Sequence, residues 1–455
     1  MNKDVVWGYL AQFLQYGASL LVLPLLLRKL SSAELGVWYV FMTISAFVTM
    51  LDMGFTPTLA RNVSYVMGGA RQLMRSGYAV VDQAAGVDYG LFKAIIVAAR
   101  RIFFCIGLLA FFILLIPGSW YISHVTQNQV DLQTVLIAWS IFVVATIVNL
   151  YYKYYTPLLQ GRGLYAEFYK TSAIANLAFI VVTAILLQTN LGLIGVACGF
   201  LVSALISRYL SWHYFYDQEF KQRLAKAAQA AVSTLEVFKI LWHNAWRLGL
   251  GVVGAFLILR ANTLLSSMYL GLATTAAYAL TLQVFSVLQS VSTVFFNVQQ
   301  PKLAQYRLLN HHQLLVNTVK QGLGSSLGLF LLGALGVVCM GTPLIKMMGT
   351  HTSLLSIPLL IAISCMVLLE LNHSLAAGVI ITGNNVPFVK PSLLSGCVIF
   401  IMSWIGLKYA DQGVGWLIAI QFTVQLAYNN WKWPLVMYKE LTYLNSQASR
   451  PAPVI

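Results

Sequence analysis

A single arginine, Arg260, stands near the middle of a long apolar stretch of the chain. A charge in that setting costs several kcal/mol unless it faces water or a partner. On a helix its face carries Gly249, Val253, Phe256, Thr263 and Ser267, a side partly lined by small and polar residues. A guanidinium so placed can grip an anionic group such as phosphate through its planar fork of donors. It can also hold an internal ion pair, and the residues alone leave both roles open. Two further apolar stretches carry polar stripes: Ser45, Thr49, Asp52 and Thr56 in one, and Ser286, Ser290, Thr293 and Asn297, extended by Gln283, in the other. Both follow the 4, 3, 4 spacing of one helix face, and a shift of 241 residues superposes them. One stripe could be helix-packing hydroxyls; two equivalent stripes point to a polar path. Asp52 is placed to carry a coupling proton or to pair with a nearby arginine. Glu370, with His373 and Ser374 at i+3 and i+4, forms a protonatable patch for ion coupling or else a satisfied buried carboxyl. Arg28 ends the first apolar stretch, where it either snorkels to headgroups or meets a departing substrate.

Other patterns carry no chemistry. Gly249-Leu-Gly251-Val-Val-Gly254 matches a dinucleotide-binding fingerprint, but no strand precedes it, so it reads as close helix packing. The pairs Gly195/Gly199 and Gly324/Gly328 read the same way. The five cysteines (Cys105, Cys198, Cys339, Cys365 and Cys397) fall in apolar stretches without metal or disulfide spacing, and read as small packing residues. No metal site, cofactor motif or nucleotide-hydrolysis motif is present, and the chain is not expected to be an enzyme.

The elements that must position these residues follow from composition. Hydrophobic residues make up 59% of the 455 and charged residues 9%, with a mean hydropathy of +0.76. A soluble domain has about a quarter of its residues charged, so lipid must solvate this chain. The expected fold is an all-α polytopic membrane protein of about twelve spans, each of roughly 20 residues, at 8–27, 35–55, 102–122, 132–150, 171–188, 192–210, 248–268, 273–297, 322–340, 354–373, 388–407 and 413–431. The first does not read as a removable signal peptide. Odd-numbered connections hold only Arg28, Lys29, Lys346 and Lys408. Even-numbered connections and the tails, counted with the adjoining span ends that carry Arg208 and Lys390, hold 23 of the 28 basic residues, Arg61 among them, which places both termini in the cytoplasm. The net charge of +15 therefore faces anionic membrane lipids rather than nucleic acid. The expected organisation is a lobe at 1–210, an amphipathic surface connector at 211–247, a second six-span lobe at 248–432 and a cytoplasmic tail at 433–455. Equal orientation of the two lobes makes a parallel pseudo-two-fold repeat, with a path lined by spans one, two, seven and eight.

The segment Asp52-Met-Gly54-Phe-Thr-Pro57-Thr-Leu-Ala60-Arg61-Asn62, the run Ser64-Tyr65-x-x-Gly68-Gly69-Ala70 and the six-plus-six division resemble the polysaccharide-transport branch of the multidrug/oligosaccharidyl-lipid/polysaccharide exporter superfamily. Within it, the chain is similar to bacterial Wzx-type O-unit flippases. That resemblance implies a polyprenyl-diphosphate-linked oligosaccharide, such as an O-antigen unit, moved across the bacterial inner membrane by alternating access. It implies Arg260 for the diphosphate, Arg61 for capture at the inner mouth, and a polysaccharide polymerase and chain-length regulator as partners. A drug/cation antiporter of the same superfamily is the nearest alternative, though it calls for an acidic cavity. A membrane polymerase or ligase is a further one, though it calls for a large outer loop; the odd-numbered connections here are at most about fifteen residues.

Overall fold

A computed structural model describes residues 21–74, 86–227, 232–383 and 386–448. Gln12, Gln15, Tyr16 and Ser19 of the first predicted span lie outside the described residues, as does the end of the predicted tail beyond Ala448. The described chain is helical throughout and, among those residues, holds no β-strand. It divides between Val253 and Gly254 into two compact units.

The first unit contains α1 (21–29), α2 (Ser32–Thr49), α3 (Phe55–Met67), α4 (Tyr89–Ile113), α5 (Ser119–Thr126), α6 (Leu132–Tyr151), α7 (Tyr155–Gly161), α8 (Tyr165–Gln188), α9 (Gly192–Phe215), α10 (Gln218–Lys226) and most of α11 (Thr234–Leu259). The second contains α12 (Ala261–Tyr269), α13 (Leu272–Leu308), α14 (His312–Met347), α15 (Ile357–Ile381), α16 (Val389–Tyr409), α17 (Val414–Ala427) and α18 (Asn429–Ala448). Ten helical stretches among the described residues are long and apolar enough to cross a bilayer. Their lipid-ready surface is visible in exposed side chains such as Phe104, Leu108 and Phe112 on α4 and Leu332 and Leu335 on α14.

Acidic residues are scarce, 13 in all, and several stand at helix starts, where they answer unpaired backbone donors. Ser31 and Glu34 form a reciprocal capping box on α2. Asp88 accepts from the Leu91 N–H of α4, and Asp131 from the Thr134 N–H of α6, each at 2.9 Å. Asp217 accepts from the Phe220 N–H at 2.8 Å and from Arg162 at 2.9 Å. Burial opposes its ionisation, but the Phe220 N–H and the Arg162 guanidinium outweigh it and hold its carboxyl below the usual range.

Several elements differ from the sequence expectation. The span predicted at 102–122 lies within one stretch from Tyr89 to Thr126, because Pro117 is absorbed by a π-turn at Leu114–Gly118 rather than ending the helix. The predicted connector is two helices. Phe220 of α10 packs on Phe92 and Phe215, with centroids 5.4 and 5.3 Å away. α11 runs without interruption from the connector into the predicted seventh span, and its Phe238 and Trp242 pack on Phe55. Protein therefore covers Phe220 and Phe55, while Phe238 is half-buried and Trp242 stays exposed. The predicted twelfth span is cut at Tyr428, whose backbone leaves the helical region (φ −144°, ψ −62°), and α18 turns back to pack on α14 and α15. Arg307 of α13 pairs with Glu440 of α18 and donates to the Thr382 hydroxyl at 3.2 Å, tying that packing together.

The glycines divide by packing. A Cβ on Gly249 would lie 2.8 Å from the Met53 backbone, one on Gly254 2.8 Å from the Leu393 N, and one on Gly199 2.1 Å from the Thr183 hydroxyl. Gly324 and Gly328, expected to be helix contacts, face open space, and four of the five cysteines are exposed on helix surfaces instead of filling the interior.

Candidate functional site

The site in the second unit is organised by a helix break at the arginine itself. α11 ends at Leu259 and α12 begins at Ala261; between them Arg260 adopts φ −127°, ψ −34°. No proline is present to cause it. The Arg260 N–H still donates to the Phe256 carbonyl at 2.9 Å, while its own carbonyl accepts from Thr263 in a tighter i+3 turn at 3.0 Å. The residue is exposed, and among the described residues its guanidinium has neither an ion pair nor a side-chain hydrogen bond.

Arg260 opens onto a cavity of about 100 Å³ shared with Ser286, Gln289, Glu370 and Gln421, and with Leu259, Leu282, Met366 and Val367. Gln289 also lines a larger cavity of about 390 Å³, walled by Ser290, Thr293, Asn297, Gln300 and Ser374, with Phe296 and Phe388 beside them. One face of α13 thus supplies polar groups from Ser286 to Gln300, a run of about 21 Å at 1.5 Å per residue. That is roughly two thirds of a bilayer's hydrocarbon core. The Ser290 and Thr293 hydroxyls donate back to the Ser286 and Ser290 carbonyls at 2.8 and 3.0 Å. Their oxygens remain able to accept, while the amides of Gln289 and Gln300 can both donate and accept. The wall suits a hydroxyl-rich ligand, and the arginine suits an anion.

Glu370 lines the same cavity without pairing with Arg260. Its carboxylate accepts from Gln425 at 3.2 Å, and Gln425 in turn accepts from the Asn429 amide at 2.8 Å. Asn429 also donates to Ser395 at 2.9 Å and accepts from the Trp433 indole at 3.1 Å. This buried chain joins α15, α16, α17 and α18 and fixes the orientation of the Glu370 carboxylate. His373 is buried and lines neither cavity.

The other predicted residues fall elsewhere. Thr263 and Ser267 are buried in α12 and line neither cavity, because the break at Arg260 rotates the face that an unbroken helix would have shared with it. Gln283 is half-buried, engaged with a neighbour, and lines neither cavity. Arg28 is exposed and also has an interaction of its own. Arg61 is exposed on α3 and has no ion-pair partner among the described residues. Ser45 and Thr49 lie on α2, which stops short of Asp52, so the first stripe does not run along a single helix as the second does.

Asp52 has a structural role that geometry makes plain. Met53 (φ +46°) and Gly54 (φ +77°) break the span, and α3 starts at Phe55. The Asp52 carboxylate accepts from the Thr56 N–H at 3.1 Å and its hydroxyl at 2.6 Å, capping α3. Lys153 pairs with the same carboxylate at 2.9 Å, with the carboxylate side chain 10% exposed. Asp52→Ala should therefore destabilise the first unit by about 3–5 kcal/mol, since it removes a cap and leaves Lys153 without its counter-charge. Thermal melting of the purified variant checks this, and an unchanged melting temperature would assign the pair no weight.

Sequence reasoning overlooked Gln289 and Gln300, although both sit at i+3 from stripe residues, Ser286 and Asn297. It also overlooked Gln421, which only tertiary packing brings to the cavity, and Gln425, which the same packing brings to Glu370. It gave no role to Arg208, which lies inside α9.

The fold is that of the transporters of the multidrug/oligosaccharidyl-lipid/polysaccharide (MOP) superfamily. An inward-facing multidrug resistance MATE family transporter of that superfamily superposes with a TM-score of 0.65 at 11% identity, over 98% of this chain and 100% of that one. The lipid II flippase MurJ in an inward closed conformation gives 0.62 at 14% identity, over 99% and 93%. A MOP superfamily transporter from Pyrococcus furiosus, described as having a binding pocket of reversed polarity, gives 0.54 at 11% identity, over 97% and 96%. No protein-family model and no curated protein sequence matches the chain.

Proposed function

We propose that the protein is a flippase for polyprenyl-diphosphate-linked oligosaccharide, an O-antigen unit or similar surface repeat, in a bacterial inner membrane. One observation carries this reading: Arg260, without a side-chain partner among the described residues, at a helix break beside a long wall of hydroxyls and amides. An anion held against that guanidinium in low dielectric gains far more than it would in water. Sugar hydroxyls match the wall, and a polyprenyl tail can stay in the bilayer. The likeness to a lipid II flippase supports a lipid-linked cargo. Arg61 captures the diphosphate at the cytoplasmic mouth, Arg28 meets it on release, and the two units act as lobes opening alternately. Both termini are cytoplasmic, and a polymerase and chain-length regulator receive the product. A drug/cation antiporter fits the site less well, because an unpaired cation repels its cargo.

Glu370 couples transport to protons in this scheme, the Gln425–Asn429 chain holding its carboxylate towards the cavity. Glu370→Gln, which keeps an acceptor for Gln425, should make transport insensitive to the proton gradient while melting within about 1 kcal/mol of wild type. Gradient dependence equal to wild type assigns Glu370 to packing alone. The test of the function itself is deletion in a strain without a redundant flippase. Lipid-linked oligosaccharide should accumulate in the cytoplasmic leaflet and surface glycan should disappear; normal surface glycan overturns the reading.

A further inference from the structure

A pocket of about 260 Å³ lies wholly within the first unit, where the end of α2, the α6–α7 junction and α9 meet. It is built around Arg208. The guanidinium carbon sits 3.8 Å from the ring centre of Tyr152 and 4.8 Å from that of Tyr155, so two tyrosine faces hold it in place. No carboxylate among the described residues pairs with it, and its Nη1 is buried without an acceptor. Lys153 adds a second cation at the wall, with Asp52 occupying one side of its ammonium. None of the lining residues is acidic.

The hydroxyls and amide around this cation are also unclaimed. Asn149, Thr156, Ser207 and Ser211 line the pocket, and among the described residues their side chains make no hydrogen bond. Helical hydroxyls commonly fall back on a nearby carbonyl, as Thr49 does to Ala46 at 2.9 Å. Here they stay open around a fixed guanidinium. A volume just below the usual range for ligand sites suits a small headgroup rather than a whole oligosaccharide.

We propose that this pocket is an anion-binding site that takes a phosphate ester with neighbouring hydroxyls. Arg208 and Lys153 hold the phosphate, and Asn149, Ser207 and Ser211 bond the hydroxyls. The site requires no transport and stands whether or not Arg260 has the role given above. Two sources share this chemistry, a phosphorylated sugar and the headgroup of a phospholipid such as phosphatidylglycerol.

The test uses the full chain in nanodiscs of phosphatidylcholine, read by thermal melting in two arms. One titrates glucose 1-phosphate, with glucose as the uncharged control; the other replaces a quarter of the lipid with phosphatidylglycerol. Arg208→Gln removes the cation, whereas Ser207→Phe fills the pocket and leaves Arg208 on its rings. A rise in melting temperature with glucose 1-phosphate but not glucose, with the midpoint weakened at least tenfold by both variants, assigns the site to a phosphorylated sugar. A rise with phosphatidylglycerol alone, suppressed by both variants, assigns it to a lipid headgroup. Equal responses in wild type and the Ser207→Phe variant, or no response to either ligand, overturn the proposal.

Discussion

Arg260→Gln should abolish transport of lipid-linked diphosphate while leaving the amount of protein in the membrane unchanged, and Arg260→Lys should restore part of it. The guanidinium has no partner among the described residues, so removing its charge leaves no buried carboxylate stranded and should cost little stability. The loss falls on the ligand. A charge-assisted hydrogen bond contributes about 1.5–3 kcal/mol, so the Gln variant should bind about 10–100-fold more weakly. Lysine supplies the charge without the planar, two-pronged geometry, which is why rescue should be partial. Had Arg260 been held in an internal ion pair, the Gln variant would instead lose stability and spare transport. Melting and transport measured on the same preparation separate the two outcomes.

Gly54→Val should prevent the protein from accumulating in membranes. Gly54 sits at φ +77°, and a Cβ there would lie 2.6 Å from the Leu248 Cβ and 2.9 Å from the Ala245 carbonyl. A β-branched residue in that backbone region costs about 1–2 kcal/mol, and forced packing adds about 1–3 kcal/mol. The break it serves is what lets Asp52 cap α3 and meet Lys153. Membrane levels measured by immunoblot, with Gly324→Val as a control in open space, check this. Wild-type levels of the Gly54 variant would mean the break can form without glycine.

The long apolar helices were legible because a run of about 20 apolar residues, in a chain so poor in charge, is stable only across a bilayer. Arg260 was legible for the same reason, as an exception to that rule. What periodicity could not show was where helices stop without a proline. It treats Ser45 through Thr56 as one face, whereas Met53 and Gly54 turn Asp52 from a rung of a stripe into a cap. It also carries Arg260's face on to Thr263 and Ser267, which the break rotates into the interior. The stripe on α13 persisted because that helix is continuous over its 37 residues. The network from Glu370 to Trp433 depends on four helices meeting, and no local spacing announces such a meeting.

The most direct measurement of cargo is translocation in vesicles containing only the purified protein. Polyprenyl-diphosphate oligosaccharide is placed in the membrane, and the fraction open to an external, impermeant glycosidase is followed over time. Wild-type vesicles should expose the glycan of the inner leaflet at least tenfold faster than empty vesicles, and Arg260→Gln vesicles should match the empty ones. Wild-type rates equal to those of empty vesicles, together with uptake of a cationic dye by the same preparation, would contradict the flippase assignment and favour an antiporter.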